Sequence, residues 1–374
     1  MATILASMLV MTLLVRDEVD IVDSQIAFHL NAGVDFVIAT DHRSQDGTTD
    51  VLERYSREGH LHLIREEDVE YREPEWRTRM ARLAASEFSA DWVINSDADE
   101  FWWPRGSDLK EVLSSLPARY GVVRAFWRPF VPRPDDADFF AERMTVRLSS
   151  EAAINDPASQ FRPNAKVIHR ADSRLTVSRG GHAVEGVYLQ PLRGWYPVEL
   201  LHFPLRSLAQ VERKASIYRA SADTRFHDAH RKMHRALEEG SLQDRYRELE
   251  VDDTTLERGL DDGSLVVDTR LRDALRTLAG VEQVPTSAGG RQGGGFALPE
   301  GGVPHLGFPR PSVVEDAAYA VEATVLGEAD VVRLQRRLDA LETRLASLEK
   351  NSWRRVARRA ARLVRRVPPP AHGR

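Results

Sequence analysis

Asp91-Trp92-Val93-Ile94-Asn95-Ser96-Asp97-Ala98-Asp99-Glu100-Phe101-Trp102 is the stretch on which the reading of this chain turns. An apolar run, Trp92 to Ile94, leads straight into a cluster of acids and then into a second aromatic run, Phe101 to Trp103. Side chains two apart on an extended segment point the same way, so an extended reading turns the carboxylates of Asp97 and Asp99 to one side. Carboxylate oxygens suit a hard divalent cation, Mg²⁺ or Mn²⁺, and that cation in turn suits a diphosphate. A bare Asp-x-Asp is more often a solvated turn. Its place at a strand end, ahead of Glu-Phe-Trp-Trp, favours a site.

Upstream, the pattern alternates strand and helix. Met8–Val15 is apolar except for Thr12, as a central strand covered on both faces should be. A helix is expected over 19–31, stopping at Asn31-Ala32-Gly33, then a strand over Val34–Thr40 and a helix over Thr48–Glu58, with Thr48 as its N-cap. Leu61–Ile64 reads as a strand, 75–89 as a helix and Trp92–Ile94 as a strand. Such alternation predicts an α/β fold with a mostly parallel, Rossmann-like sheet flanked by helices. Function in these sheets sits at the carboxyl ends of the strands, where Arg16-Asp17-Glu18, Asp41–Gly47 and Asp97–Glu100 all fall. From 105 to about 205 the pattern loosens into short strands and Pro-rich loops, and 207–280 reads as helical.

The 374 residues allow one large domain plus an appendage. We expect a catalytic domain over 1–280, a Gly-rich linker and irregular segment over 281–326, and a separate tail over 327–374. With no cysteine, disulfides and thiolate chemistry are excluded. The tail holds 13 Lys+Arg against 5 Asp+Glu, and the rest of the chain 39 against 52, so the body is too acidic for a nucleic-acid groove. In the tail, Val331, Leu334, Leu338, Leu341, Leu345 and Leu348 follow steps of three and four, a short coiled coil that predicts weak homo-oligomerisation through 331–350. Beyond it, seven Arg between 354 and 366 share a helical pattern with Trp353, Val356, Leu363 and Val364, which suits an anionic membrane surface. The apolar N-terminus, Ile4 to Val15, lacks a preceding positive charge and a cleavage site, so it is expected to be a buried strand, in a cytoplasmic protein that lies peripherally on the inner face of the membrane.

The order Val15-Arg16-Asp17-Glu18, then Asp46-Gly47-Thr48, then Asp97-Ala98-Asp99-Glu100-Phe101-Trp102, resembles glycosyltransferase family 2 with the GT-A fold, and most of all a bacterial branch that resembles family 92. Leu201-His202-Phe203-Pro204-Leu205-Arg206-Ser207, with Lys214, is similar to an element that follows the core in that branch. The likeness covers roughly residues 7–220. It implies inverting transfer of a sugar from a nucleotide-sugar donor to a glycan or lipid-linked acceptor hydroxyl, as in cell-envelope polysaccharide assembly, with Mn²⁺ or Mg²⁺. The loop Asp41-His42-Arg43-Ser44-Gln45-Asp46-Gly47-Thr48 lacks the usual second acid beside Asp41, which leaves the nucleobase open.

On that resemblance Asp99 is a direct metal ligand, Asp97 contacts the ribose or the metal, and His202 completes the metal set. Arg16, Asp17 and Asp41 lie on the nucleotide side, although Asp17 also suits a helix N-terminus and Asp41 a turn cap. Arg206 and Lys214 would neutralise the departing phosphate. Arg79 and Arg82 are more simply solvated helix residues. An inverting transfer also needs a base for the acceptor hydroxyl, for which Glu185 and the pair Asp135 and Asp136 are candidates. Trp127, Trp195 and Tyr196 suit either sugar stacking or core packing. Two other functions compete. A nucleotidylyltransferase would need a Gly-rich phosphate loop after the first strand, and no Gly occurs before Gly33. A non-enzymatic membrane scaffold has no use for acids at the strand ends.

Overall fold

The computed structural model describes residues 7–134, 139–149, 164–220, 228–282, 296–299 and 306–325. The chain divides into two units, Met1–Leu326 and Gly327–Arg374. The second, with its expected coiled coil and Arg-rich helix, lies outside the described residues.

The amino-terminal half follows the alternation of the sequence. It runs β1 (Leu9–Val15), α1 (Val22–Asn31), β2 (Phe36–Asp41), α2 (Thr48–Arg57), β3 (Leu61–Arg65), α3 (Glu73–Ser86) and β4 (Trp92–Asp97). β1 is the centre of this half, paired in parallel with β2 and β4, and β2 continues in parallel to β3. Both faces of β1 are covered. Leu9, Met11, Leu13 and Val15 enter one apolar core, whereas Val10 and Leu14 enter a second beneath Trp76, Met80 and Ala84 of α3. That two-sided burial is why the strand reads as a continuous apolar run.

The second half departs from a mostly parallel sheet. After β5 (Glu100–Pro104) and the short α4 (Leu109–Ser114), the chain forms a ten-residue strand β6 (Tyr120–Pro129), followed by α5 (Phe140–Arg143), β7 (Val146–Leu148) and β8 (Ala165–Arg170). Two-residue strands β9 (Thr176–Val177), β10 (Val184–Glu185) and β11 (Gln190–Pro191) precede β12 (Val198–His202). The main sheet runs β3-β2-β1-β4-β8-β6-β12-β5, with β11 beside β6. β8 is antiparallel to both β4 and β6, and β12 is parallel to β6 but antiparallel to β5. The sheet is therefore mixed. Helices α6 (Leu208–Ala220), α7 (Asp228–Glu238), α8 (Leu242–Arg247) and α9 (Asp253–Asp261), strand β13 (Leu265–Val267) and α10 (Arg270–Ala279) complete the body. Phe296 and Phe308 are buried in the main core, and residues 313–325 are helical. Among the described residues no helix is long and apolar enough to cross a membrane.

Candidate active site

β4 does not run on through the acids. It ends at Asp97, Ala98 and Asp99 make a turn, and β5 begins at Glu100. The extended geometry expected for Asp97 and Asp99 is thus replaced by a turn, and the two carboxylates take different partners. Asp97 accepts from Arg77 through Oδ1 and from Lys166 Nζ through Oδ2 at 2.5 Å. Burial works to raise its pKa, but these two cations outweigh it and hold the carboxyl well below the usual range. Lys166 is itself fully buried and also meets Glu100 Oε2 at 2.6 Å. Glu100 accepts the backbone N–H of Asp97 and the indole N–H of Trp127 as well, at 2.9 and 3.0 Å. Burial raises the pKa of its carboxyl, against the pull of Lys166.

Asp99 faces the opposite group. Its Oδ2 accepts from Lys214 at 2.8 Å, and its Oδ1 lies 3.8 Å from His202 Nε2. Burial raises the pKa of this carboxyl and Lys214 lowers it, with a net fall to about 2. The strand register explains the meeting. His202 ends β12 opposite Glu100 of β5, and the Phe203 N–H donates to the Asp99 carbonyl at 2.8 Å. The His202 ring stacks on Trp127 with centroids 4.2 Å apart, and Trp127 is tethered in turn by Glu100. Burial pushes His202 down to about 4, which keeps the imidazole neutral, the form in which histidine binds metals.

Arg206 and Lys214 come to the same place. Arg206 donates to Asp20 through Nε at 2.7 Å and to Glu18, while its Nη1 is 3.9 Å from Asp99; Lys214 lies 3.1 Å from Glu18. Glu18 precedes α1 and turns its carboxylate to these cations. The loops after β1 and β2 are stitched together. Asp17, at φ 54°, accepts from the Gln45 N–H at 2.7 Å, and Asp41 accepts from the Ser44 N–H and the Thr49 hydroxyl at 3.1 and 2.5 Å. Arg16 lies 3.7 Å from Asp17. Gly47, at φ 100°, is the N-cap of α2, a position that favours glycine. Thr48 is the first helical residue, and its hydroxyl accepts the Glu18 N–H at 2.8 Å.

Some candidates lie elsewhere. Glu185 is exposed on β10, paired with β9, and Asp135 and Asp136 lie outside the described residues. Arg79 pairs with Glu66, and Arg82 donates to the Leu175 carbonyl. It is Arg77, two residues before Arg79 on the same helix, that reaches Asp97. Trp195 is largely exposed and Tyr196 packs on Phe126, so of the three aromatics only Trp127 enters the site. The residues the sequence reading missed are Arg77, Lys166 and Asp20. Lys166 and Lys214 carried a faint signal. Only 5 of the 52 basic residues are lysine, and two of those five lie at the acid cluster.

Among the described residues no three His, Asp or Glu side chains converge as a ready metal cluster. Asp99 and His202 nevertheless offer one carboxylate and one neutral imidazole to a common point. That pair fits a partly protein-held Mn²⁺ or Mg²⁺ whose other positions are filled by phosphate and water.

The mixed α/β sheet thus gathers acids, lysines and a neutral histidine at its strand ends. Residues 11–239, more than half of the chain, match the model of glycosyltransferase family 92, and the chain belongs to that family. It is a glycosyltransferase. No curated protein sequence matches it. Solved structures that are similar in part include three glycosyl-transferring enzymes. The mannosyltransferase PcManGT from Pyrobaculum calidifontis, in complex with GDP-Man and Mn²⁺, is 14% identical over 87% of this chain and 86% of its own, with a TM-score of 0.30. S. aureus TarS 1-349 in complex with UDP-GlcNAc is 13% identical over 65% of this chain and 73% of its own, at 0.31. Glucosyl-3-phosphoglycerate synthase from Mycobacterium tuberculosis, in complex with Mn²⁺, UDP and glucosyl-3-phosphoglycerate, is 21% identical, at 0.24; the matched part spans 33% of this chain and 44% of the synthase.

Proposed function

We propose that this chain is a metal-dependent, inverting glycosyltransferase, akin to the bacterial branch of family 2, that moves a sugar from a nucleotide-sugar to a hydroxyl of a glycan or lipid-linked acceptor. The observation that carries the proposal is the approach of Asp99 and His202 beside Lys214 and Arg206 at the strand ends. In this reading Asp99 and His202 hold the divalent ion, which when bound neutralises the diphosphate. Asp97 is kept ionised by Arg77 and Lys166 and contacts the ribose. Arg16, Asp17 and Asp41 line the nucleotide side, with Asp17 and Asp41 also tying the two loops. Lys214 and Arg206 add fixed positive charge where the leaving group develops negative charge.

In the transfer, the acceptor oxygen bonds to the anomeric carbon from the face opposite the leaving diphosphate. The bond from that carbon to the diphosphate oxygen breaks, and a carboxylate takes the hydroxyl proton. Glu185, exposed on β10 and not among the groups gathered at Asp97 and Asp99, is our first choice for that carboxylate, and Asp136 the second. The Arg-rich tail, residues 353–366, is read as a reversible contact with anionic lipid. Incubation with a panel of nucleotide-sugars and Mn²⁺ tests the proposal. Metal-dependent release of nucleoside diphosphate with one of them supports it, and metal-independent turnover rules it out.

A further inference from the structure

His202 stands at the end of β12 with its backbone fixed from both sides. The Phe203 N–H donates to the Asp99 carbonyl at 2.8 Å, and the Phe130 N–H donates to the His202 carbonyl at 2.9 Å. That leaves the ring its own rotation, because the outer torsion of a histidine is broad and roughly two-fold. An imidazole nitrogen holds a metal in the plane of the ring, along its lone pair, so the plane of His202 decides where Nε2 can hold an ion. Trp127 sets that plane. Its partner on β12 is Leu200, and His202 lies two residues further on, so the two rings share a face of the sheet. They stack with centroids 4.2 Å apart and planes 25° from parallel. In that pose Nε2 lies 3.8 Å from Asp99 Oδ1.

Trp127 is itself held in place. Its backbone N–H donates to the Asn164 carbonyl at 2.9 Å, and its indole N–H to Glu100 Oε1 at 3.0 Å. The His182 ring meets it edge-on, with centroids 5.8 Å apart. A carbonyl can only accept, so His182 Nδ1 donates to Ala165 at 2.8 Å, which leaves Nε2 to accept from Asn164 at 3.2 Å. Glu100 is a firm anchor. It is fully buried, meets Lys166 Nζ at 2.6 Å and accepts the Asp97 N–H at 2.9 Å. The indole is half-buried and packs beside the main core, and the face that His202 covers is closed to a sugar.

We propose that Trp127 is a positioning residue for metal binding: its indole, anchored by Glu100, sets the plane of the His202 imidazole and so aims Nε2 at the ion beside Asp99. The inference rests on the reading of His202 as a metal ligand. Glu100 then joins the two halves of the acid cluster. It fixes the Asp97 turn through the backbone N–H and, through Trp127, the imidazole that faces Asp99.

Calorimetry of Mn²⁺ with the full chain, in the presence of UDP or GDP, tests the proposal. Trp127→Leu should weaken Mn²⁺ binding by about tenfold, the lower end of the loss usual for a residue that orients a ligand. Trp127→Phe keeps a ring but loses the N–H, and should fall between Trp127→Leu and the wild type. In a His202→Ala background Trp127→Leu should cost nothing further, because the ring it orients is gone. In the metal-free chain the His202 ring protons, assigned by their loss in His202→Ala, should resonate upfield over the indole and move downfield in Trp127→Leu. Circular dichroism verifies each fold, and if Trp127→Leu does not fold, Trp127→Phe carries the same comparisons. Unchanged Mn²⁺ affinity in the Trp127 variants while His202→Ala weakens it, equal losses with and without His202, or His202 ring protons that do not move overturns the proposal. Unchanged affinity in His202→Ala is a separate failure, which removes the metal ligand itself and the proposal with it.

Discussion

Lys166→Met removes the one ammonium shared by Asp97 and Glu100, and the structure fixes how much that should cost. Lys166 is fully buried, with Nζ 2.5 Å from Asp97 and 2.6 Å from Glu100. At an effective dielectric near ~20, each such pair is worth about 6 kcal/mol of attraction. Desolvation of each ion returns several kcal/mol, so the pairing itself is close to neutral. Removing only the cation is different, because the acids stay buried with less compensation, and breaking a buried pair in this way costs about 3–5 kcal/mol. Asp97 keeps Arg77, so most of the loss should come from Glu100, whose other donors among the described residues are the Asp97 N–H and the Trp127 indole. Urea unfolding followed by tryptophan fluorescence should therefore show stability falling by about 3–5 kcal/mol. Adding Glu100→Gln replaces a carboxyl that burial already pushes up to about 8 with a neutral group, and should recover about 1–3 kcal/mol, the coupling expected of groups in contact. A loss below about 1 kcal/mol, or a double variant worse than the single, would refute the account of Lys166 as the counter-ion of this cluster.

Other outcomes follow from the same geometry. Asp99→Ala should abolish turnover and, because the buried carboxylate pairs with Lys214 and is held at about 2, should also lower stability by about 2–3 kcal/mol, which urea unfolding reads; EDTA should abolish turnover in the wild type. His29 and His169 are fully buried and neutral, and burial lowers each to about 4. Their folded pKa lies below the unfolded value, so the unfolded chain binds more protons between the two. Stability is then intact above pH ~6.5 and falls by up to about 3 kcal/mol per histidine as pH drops towards ~4, which thermal melts across that range will read. The tail should bind anionic liposomes reversibly, with attraction near ~1 kcal/mol per basic residue close to the surface. Cosedimentation should drop with added salt and with truncation after Leu326; equal binding by the truncated chain would remove the tail as a membrane contact.

The amino-terminal half of the fold was legible because its strands are buried on both faces or one and its helices carry ordinary stops. β1 and β2 are nearly uninterrupted apolar runs and β4 opens with one, Trp92 to Ile94, and their expected bounds differ from the observed ones by a residue or a few. β6 and β8 were not legible. They carry Arg124, Arg128, Lys166, His169 and Arg170, which reads as surface. Three of these are buried all the same: His169 as a neutral ring, and Arg128 and Lys166 because their charges are met from far along the chain, by Glu199 and Asp97. No local period records such a partner. Missing these two strands is also why a mostly parallel sheet was expected, since β8 supplies the antiparallel pairs beside β4. The acids of the site were visible because they are clustered in sequence. Their cations were not, because Arg77 comes from the helix before and Lys166 from a strand 69 residues later.

The pairing of Asp99 with His202 is the centre of the functional account, and titration calorimetry of Mn²⁺ in the presence of UDP or GDP tests it most directly. The wild type should bind one Mn²⁺ per chain. His202→Ala should weaken that binding by about 10- to 100-fold, and Asp99→Ala should weaken it at least as much, while Glu185→Ala leaves it unchanged. Unaltered Mn²⁺ affinity in both His202→Ala and Asp99→Ala would contradict the account, because the two residues that face each other at the strand ends would then hold no metal.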